Sequence, residues 1–529
     1  MMRLSVLAAL LLVSAAPAVP GKVDVVIRGG TIYTGADAPP FTGDVEIAGD
    51  RIIYVGPARH TAAAHVIDAT GKIVAPGLID AHTHPDTYLR SPDPKARLNL
   101  PWLAQGVSTI ITGVDGGGTP DVAADARKLQ ASGIGTNVVP FVGFGAIRQR
   151  VLGEADRAPN AAELAQEKAL AVKGMCEGAV GLSTGLFYAP QSFATTDEVV
   201  AVAEEAGRRG GLYDTHQRDE SDYTIGLIAS TKEAIEIGRR AHMPVHFAHL
   251  KALGVDLQGH APELIATIEA ARRTGQDVTA DQYPWLASGS SVDASLVPNW
   301  AVDGGYKAML ARFADPATLT RIKAAMTENL RRRGGADSLL LTSEGQPWTG
   351  RTLAQMATQW GVSPIDAAIR ILKTPNARGT GPAGVGVASF NMADRDVDLI
   401  MKQPWVVTSS DGSDGHPRQY ATMPQKYRLY VQQRKVITLA DFIHRSSGLT
   451  ADIYRIDHRG YLRAGYYADV VVLDPARYAP RADYIHPRVP SVGVAALFVN
   501  GELALRDSAA TGTAAGRVLL RAKPAECEA

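Results

Sequence analysis

Cysteine is almost absent from this chain, which has Cys176 and Cys527 and no others among its 529 residues. One lies in mid-chain and the other near the end, so the sequence excludes a thiolate metal cluster and predicts no disulfide framework. Net charge is absent too, because 54 basic residues balance 54 acidic ones. A neutral chain has no electrostatic reason to bind nucleic acid or a membrane surface, and we expect neither as a partner.

Long apolar runs are also scarce, and the run near the N-terminus, Leu4–Val13, is too short to span a bilayer. A short basic start, Met1-Met2-Arg3, precedes it, and Ala16-Pro17-Ala18 fits a small-x-small cleavage site. This order of segments is typical of an export signal. The sequence therefore predicts a signal peptide over residues 1–18 and a periplasmic or secreted protein.

Both ends of the remaining chain have strand-like patterns. Val45–Ala48 and Arg51–Val55 are typical of the arms of a hairpin, with Gly49-Asp50 as its two-residue turn. Near the C-terminus, Ala468–Asp474 has the pattern of a strand, and Leu497–Glu502 ends in an Asn-Gly turn. We expect the two ends to pair into one small β domain.

Between these ends, short apolar runs alternate with helical patterns such as Thr195–Gly210 and Ala261–Thr274. This alternation indicates an α/β fold in which helices cross between parallel strands, and eight runs predict a (β/α)8 TIM-like barrel. The runs end near His84, Gly113, Gly143, Thr184, His216, His249, Gln282 and Asp411.

The predicted organisation is a TIM-like barrel with a small β-sandwich domain formed by the N- and C-terminal segments. The parts are residues 19–72 and 459–506 for the β domain, 73–458 for the metal-dependent barrel, and 507–529 for a poorly ordered tail. An insertion at about 285–404 separates the last two barrel strands. Long insertions of this kind are usually functional, so we expect a lid or a substrate-binding subdomain.

His82 and His84 directly follow the apolar run Ile73–Ile79, which we expect to be one buried strand. Side chains two apart on a strand point the same way, so the two imidazoles form half of a metal site. His216, His249 and Asp411 end three other runs, and barrel chemistry gathers at such strand ends. Either of the later histidines alone would be interpreted as structural, but together the set predicts zinc, as one or two ions.

A zinc site of this composition suits the hydrolysis of amides. A metal ion lowers the pKa of its bound water towards about 7. A carboxylate beside that water can take its proton and pass it to a leaving amine. Asp411 is the residue we expect to do this, with its interpretation as a plain Asp-Gly turn left open.

Several motifs resemble the amidohydrolase superfamily, and within it the N-acyl-D-amino-acid deacylase (D-aminoacylase) branch. The resemblance covers nearly all of the chain after the predicted signal peptide. The motifs are Gly77–His84, Gly106–Thr109, Gly181–Tyr188, Thr215–Glu220, His249–Lys251 and Ser410–Gly412. They are specific for the superfamily and carry little information on the substrate.

The resemblance implies a metal-dependent hydrolase, acting on carbon–nitrogen bonds other than peptide bonds, in which metal-bound hydroxide attacks an N-acyl-D-amino acid. It assigns His82 and His84 to one metal subsite and His216 and His249 to the other. It makes Asp411 the general acid/base and metal neighbour, and Tyr188 the donor to the scissile carbonyl. The substrate is a small molecule with a carboxylate, and the residues expected to hold it are Lys251, Tyr283 and Arg218.

The chain departs from the branch at two positions. Asp115 stands where the branch has a cysteine ligand, and we expect its carboxylate to be a metal ligand, with a solvated turn residue as the alternative. Phe144 stands where the branch tends to have histidine, which bears on the substrate more than on the metal. The sequence leaves open the acyl group, the side chain, the stereochemical preference, the number of metals and the oligomeric state.

Two other functions fit the same residues. One keeps the site and changes the substrate, giving a dipeptidase or a cyclic-amide hydrolase. The other is a non-catalytic periplasmic protein that binds a metal or ligand on a retained barrel, which the presence of Asp411 disfavours. Outside the site, we interpret Arg331-Arg332-Arg333 as a solvated helix end rather than a binding patch.

Overall fold

The structure is a computed structural model that describes residues 23–379, 381–413 and 415–527. The predicted signal peptide over residues 1–18 lies outside the described residues. Within the described ranges, no helix combines the length and the apolar character needed to cross a membrane.

A ring of eight parallel strands forms the centre of the described fold, one for each predicted run. Neighbours in the ring pair in chain order. A parallel bridge from Thr83 to Gly412 joins the ends of the first and eighth strands. In order, the barrel strands are Leu78–Asp80, Val107–Thr112, Asn137–Pro140 continued by Val142–Gly143, Gly181–Gly185, Leu212–His216, Val245–Phe247, Val278–Gln282 and Val406–Thr408. The TIM-like barrel prediction is confirmed.

Helices connect these strands and cover the outside of the ring. The helix predicted over 195–210 spans Thr196–Arg208, and it begins there because the Thr195 hydroxyl accepts a hydrogen bond from the backbone N–H of Glu198 at 3.2 Å. The other helices outside the insertion are Asp86–Leu89, Pro94–Arg97, Leu100–Leu103, Val122–Ser132, Phe144–Leu152, Ala161–Cys176, Leu227–Ala241, Ala261–Arg273, Arg418–Gln425, the π-helix Lys426–Gln433, Leu439–Arg445 and Gly448–Ile453. Asp394–Met401, at the end of the predicted insertion, packs on Ala261–Arg273 of the barrel layer.

Strands from both ends of the chain share one nine-stranded sheet, as expected. They are Val25–Ile32, Phe41–Ala48, Arg51–Gly56, His65–Asp68, Ile73–Pro76, Val470–Leu473, Val494–Val499, Glu502–Arg506 and Ala509–Ala510. The predicted hairpin is confirmed, and Gly49 at its turn has φ +56°, which glycine adopts without strain. The two ends meet where Ile73–Pro76 pairs antiparallel with Val470–Leu473.

The run expected to be one strand over 73–79 is two strands. Ile73–Pro76 belongs to the terminal sheet, and Leu78–Asp80 begins the barrel. The chain passes from one sheet to the other at Gly77, where a side chain would collide with Ser108, since an added Cβ would lie 2.4 Å from its Oγ. Hydrophobicity continues across the break because both pieces are buried, so the sequence pattern does not reveal it.

The C-terminal tail packs against the barrel, contrary to the expected disorder. Val518 forms a parallel bridge with Val138 of the third barrel strand, and the backbone N–H of Gly516 donates to the carbonyl of Ile134 at 2.8 Å. A disulfide joins Cys176 to Cys527. The prediction of no disulfide was wrong because a pair 351 residues apart leaves no local spacing signal.

The insertion between the last two barrel strands has its own small sheet and its own apolar core. Its antiparallel strands are Ala287–Ser291, Leu339–Leu341 and Gly386–Phe390. Its helices are Val292–Leu296, Gly305–Ala314, Pro316–Arg332, Leu353–Trp360 and Pro364–Leu372. The strand Ala287–Ser291 borders the cavity above the barrel ring, and the role of the insertion as a lid or substrate-binding subdomain stays a prediction.

Candidate metal centre

His82 and His84 leave the first barrel strand and point into the mouth of the barrel. Their ring centroids lie 5.2 Å apart. His82 is fully buried, whereas the side chain of His84 is one-third exposed. The loop that carries them is fixed to the end of the eighth strand, because the backbone N–H of His84 donates to the Gly412 carbonyl at 3.0 Å.

His216 and His249 lie at the ends of the fifth and sixth strands and face each other. His216 Nδ1 and His249 Nε2 are 3.0 Å apart. The ring of His249 lies 4.7 Å from that of His82, so the two pairs form one continuous group of imidazoles. His249 has φ +35°, and its backbone N–H donates to the buried carboxylate of Asp281 at 2.8 Å.

Asp115 lies between the two histidine pairs. Its Oδ1 is 3.4 Å from His82 Nε2 and 3.6 Å from His249 Nε2, and its Oδ2 is 3.5 Å from His84 Nε2. The backbone of Asp115 has φ +52°, a conformation that Asp tolerates better than most residues. Oδ1 thus faces histidines of both pairs and Oδ2 faces His84, so the Asp115 carboxylate is placed where it could be a metal ligand.

Asp411 completes the group from the end of the eighth strand. Its Oδ1 lies 3.3 Å from His84 Nε2 and 3.9 Å from His82 Nε2. Its Oδ2 lies 2.7 Å from a guanidinium nitrogen of Arg418, which is itself buried. The two oxygens therefore have different surroundings, one facing the imidazoles and the other held by a cation.

Unpaired polar atoms show that this group of residues fits a metal ion. Neither ring nitrogen of His82 makes a hydrogen bond with the described residues, although both are buried, and the same holds for Asp115 Oδ1. Buried polar atoms without partners are costly, so a ligand is expected to satisfy them. Ligand atoms lie within 4.8 Å of one another in the sets His82–His249–Asp411, His82–His84–Asp115 and Asp115–His216–His249.

Glu220 and Lys251 form a buried ion pair beside His249. Lys251 Nζ lies 2.6 Å from Glu220 Oε1 and 2.8 Å from His249 Nδ1. Burial opposes the ionisation of Glu220, but the charges of Lys251, His216 and His249 outweigh it and hold the pKa of that carboxyl below its usual value. The pair orients the imidazole of His249 while keeping Lys251 at the cavity wall.

Tyr188 and Tyr283 contribute two hydroxyl groups near the imidazoles. The half-buried ring of Tyr188 lies 4.8 Å from that of His216. Burial, with the nearby carboxylates of Asp115 and Asp411, raises the pKa of Tyr188, so its hydroxyl keeps its proton and can donate it. The hydroxyl of Tyr283 is buried and has no hydrogen-bond partner among the described residues.

A cavity of about 350 Å³ opens beside the imidazoles. It is lined by Phe187, Tyr188, His216, Glu220, Lys251, Leu253, Ser288, Gly289, Ser290, Arg333 and Asp411. The predicted residues Tyr188, His216, Lys251 and Asp411 thus share one space, which the insertion borders through its strand Ala287–Ser291.

Of the predicted substrate residues, Lys251 lines this cavity and Tyr283 lies behind it beside Lys251 and Arg418, whereas Arg218 is engaged elsewhere. Its guanidinium forms an ion pair with Glu233, with Nε 2.9 Å from Oε2, and donates to the carbonyls of Ser192 and Ala194. These contacts use the guanidinium N–H groups that would otherwise donate to a substrate carboxylate. Arg218 therefore anchors a loop, and we withdraw it as a candidate for substrate binding.

Sequence reasoning missed two buried arginines at this site. Arg418 contacts Asp411 and lies over the ring of Tyr283, with its guanidinium carbon 5.2 Å from the ring centroid. Arg333, interpreted as part of a solvated helix end, is 2% exposed and lines the cavity. For Arg418, the nearness of the sequence Gly415–Arg418 to Asp411 was an available signal; for Arg333 the sequence offers none.

Several known proteins resemble this chain in sequence and in fold. A model of the amidohydrolase family matches residues 288–504. A D-aminoacylase of Alcaligenes xylosoxydans xylosoxydans is 31% identical over 525 residues, which cover 94% of this chain and 98% of the relative. A D-aminoacylase structure concerned with a binuclear metal centre has a TM-score of 0.79 at 30% identity, covering 94% of this chain and 100% of the other. An N-acyl-D-glutamate deacylase of Bordetella bronchiseptica, complexed with zinc and a phosphonate inhibitor, has the same TM-score and coverage at 29% identity.

Proposed function

The chain belongs to the amidohydrolase superfamily, in its D-aminoacylase branch, and from this premise we propose that it deacylates N-acyl-D-amino acids. It is a metal-dependent hydrolase of carbon–nitrogen bonds other than peptide bonds. The observation that carries the proposal is the convergence of four imidazoles and two carboxylates at the barrel mouth, beside a cavity lined by Tyr188, Lys251 and Asp411. The products would be a carboxylate and a free D-amino acid.

Zinc would be held by His82, His84, His216 and His249, with Asp115 between the two pairs and Asp411 beside the first. When bound, zinc supplies a Lewis acid that polarises a carbonyl and makes water acidic. The two histidine pairs agree with either one or two ions. Glu220 contacts the His249 imidazole, and the Asp281 carboxylate accepts a hydrogen bond from the His249 backbone N–H, so together they orient His249.

Asp411 moves the proton. Arg418 holds Oδ2 at 2.7 Å, so Oδ1, on the imidazole side, is the oxygen left to accept a proton from the attacking water. The same oxygen then returns the proton to the leaving nitrogen, which departs as an amine. Burial of Asp411 keeps bulk water from competing for that proton.

Tyr188 stabilises charge on the scissile carbonyl. Its hydroxyl stays protonated, lies at the wall of the cavity, and can donate a hydrogen bond to oxygen as negative charge develops there. Phe187 packs edge-on against the Tyr188 ring, with centroids 5.2 Å apart, and limits its movement. Tyr188 therefore acts as a pre-oriented donor.

The α-carboxylate of the substrate would bind next to Lys251, Tyr283 and Arg418. Lys251 Nζ lies 5.7 Å from the centre of the Tyr283 ring, and the Tyr283 hydroxyl lacks a partner. Arg418 has a buried Nε that makes no hydrogen bond with the described residues. The Tyr283 hydroxyl and Arg418 Nε have no hydrogen-bond partner among the described residues, and with the positive charge of Lys251 beside the same ring they form a suitable receptor for a carboxylate.

The test is the release of free amino acid from paired N-acetyl-D- and N-acetyl-L-amino acids by zinc-loaded protein, with an EDTA-stripped sample as the control. We expect zinc-dependent release from the D series alone. Release from the L series alone, or from neither series by a protein that retains zinc, would contradict the proposal and direct the search to dipeptides or cyclic amides.

We also propose that the protein is exported and that its terminal strands form a small β-sandwich. The sequence pattern over residues 1–18 supports export, and so does the Cys176–Cys527 disulfide, since such bonds persist in oxidising compartments. Supporting the sandwich, Val470 and Val472 pack with Ile27 on one face of the sheet, while alternate residues such as Val471 join the barrel core. Fractionation of cells and N-terminal sequencing of the mature protein test the export.

A further inference from the structure

Three consecutive arginines, Arg331, Arg332 and Arg333, end a helix of the insertion and differ in their surroundings. Arg331 is half-exposed and lies 2.7 Å from Asp256, and Arg332 lies 3.1 Å from Asp222. These two have acidic partners, as a solvated helix end requires. Arg333 is 2% exposed, so the interpretation as a solvated helix end is wrong for it.

The partners of Arg333 are hydroxyl groups. Its Nε donates to the Tyr223 hydroxyl at 2.5 Å, and one terminal nitrogen lies 3.4 Å from the hydroxyls of Ser288 and Ser389. Among the described residues, no carboxylate lies within 4 Å of its guanidinium, unlike those of its two neighbours. Arginine does not lose its proton in proteins, and a buried charge without a counter-charge is costly. The site is therefore electrostatically incomplete without an anion.

Arg333 faces the cavity that contains the reactive groups. It lines the same 350 Å³ space as Tyr188, Lys251 and Asp411. The other cations there already have counter-charges, since Lys251 lies 2.6 Å from Glu220 and Arg418 lies 2.7 Å from Asp411. Arg333 thus adds a positive charge on the insertion side that no described side chain balances.

We propose that Arg333 binds a second carboxylate of the substrate, one distinct from the α-carboxylate; this rests on the proposed deacylation. The planar guanidinium suits a carboxylate in two-pronged contact, and Tyr223 and Ser288 hold it at the wall. Two sources supply that group: the side chain of D-aspartate or D-glutamate, or a dicarboxylic acyl group such as succinyl. Either way, Arg333 is a specificity-determining residue for dianionic substrates.

Two substrate pairs distinguish these sources. The first pair is N-acetyl-D-glutamate and N-acetyl-D-glutamine, and the second is N-succinyl-D-leucine and N-acetyl-D-leucine. For one pair, we expect the dianionic member to have a kcat/KM higher by about 10- to 100-fold, the range of a charge-assisted hydrogen bond. Arg333→Met should abolish that preference, because kcat/KM falls by a larger factor for the dianionic member than for the neutral member. Arg331→Met, the matched control, should keep the preference.

Equal kcat/KM within both pairs for the wild type would overturn the role of Arg333, and so would an equal loss for both members in Arg333→Met. Hydrolysis of a neutral member in either case would leave the deacylase function intact, so the two failures are distinguishable. Arg333→Met should unfold at the same temperature as the wild type or higher, because an unbalanced buried charge is removed. If Arg333→Met does not fold, Arg333→Lys provides the test. It keeps the positive charge but loses the planar guanidinium, so it should show a reduced preference for the dianionic member.

A measurement without turnover gives a second readout. Thermal stabilisation of the zinc-loaded wild type by glutarate, which has two carboxylates, should exceed stabilisation by butyrate, which has one. The difference should disappear in Arg333→Met and persist in Arg331→Met. Equal stabilisation of the wild type by both acids would overturn the proposal.

Discussion

Cleavage of the Cys176–Cys527 disulfide is expected to lower the stability of the enzyme and to leave its activity intact. Cys176 ends the helix Ala161–Cys176, just before the fourth barrel strand begins at Gly181. The bond therefore lies at the face where the strands start, whereas the imidazoles and Asp411 lie where the strands end. Reduction should release the tail that runs beside the third strand without disturbing the metal centre.

The magnitude follows from the length of chain that the bond closes. The two cysteines are 351 residues apart, and the chain-entropy relation gives an upper value of about 6 kcal/mol for a loop of that size, against about 2–4 kcal/mol typically measured. With an unfolding entropy near 2 cal/mol/K per residue, a chain of this length shifts its Tm by roughly 1 °C per kcal/mol. We therefore expect the Tm to fall by about 2–4 °C on reduction.

The assay is a thermal melt of the wild type with and without a thiol reductant, beside the Cys176→Ser/Cys527→Ser double variant. The oxidised wild type should melt highest, and the reduced wild type and the double variant should coincide. Activity at 25 °C should be the same in all three. Equal Tm values for oxidised protein and double variant, or alkylation of both thiols in unreduced native protein, would refute the reasoning.

Three further predictions concern the site and the barrel. Asp411→Asn should retain zinc, measured by metal analysis, while kcat falls by about 10²–10⁴, because the amide cannot move the proton. Tyr188→Phe should lower kcat by about 10²–10³ with little change in KM, because the lost hydrogen bond forms mainly in the transition state. Burial, with the charge of Glu198, raises the pKa of Glu167 to about 7. Glu167→Gln should therefore raise the free energy of unfolding at pH 8 by roughly 1–3 kcal/mol, measured by denaturant titration.

The direction for Glu167 follows from its protonation in the two states. Unfolded Glu167 ionises near pH 4.5, whereas the folded form keeps its proton to about pH 7. Stability is therefore lost as the pH rises between these values, and the penalty is complete above pH 7. At pH 4 both states are protonated, so the variant should have no such advantage there; an equal gain at pH 4 and pH 8 would contradict the assignment.

Unchanged kcat in Asp411→Asn or Tyr188→Phe would contradict the catalytic roles proposed for those two residues.

Much of the site was predictable from the sequence because residues that follow the successive strands of a barrel lie close together in space. His82, His216 and His249 follow apolar runs, and parallel strands in a barrel carry their C-terminal ends to the same mouth. Once the strand ends are located in the sequence, the side chains that follow them can be predicted to lie together. The position of Asp115 at this mouth was visible for the same reason, since it occupies the turn after the second strand.

The partners of residues that do not follow a barrel strand could not be predicted from the sequence. Arg218 and Arg333 are both arginines near site motifs or helix ends, and nothing local distinguishes them. Arg218 forms an ion pair with Glu233. Arg333 is buried against Tyr223 and faces the cavity, without an acidic partner among the described residues. Which partner a long side chain meets depends on contacts between distant segments, and those arise only when the insertion packs on the barrel.

By itself, the sequence determined the barrel, the pairing of the two ends and the grouping of four histidines at the barrel mouth, because each depends on hydrophobic periodicity and on the order of strands. Only the tertiary structure decided the break at Gly77, the disulfide to Cys527, and the burial of Arg333 and Arg418 at the site. These depend on close approach and on balance of charge between parts of the chain hundreds of residues apart. Periodicity is a local property, whereas the counter-charge of a buried group is a property of the whole fold.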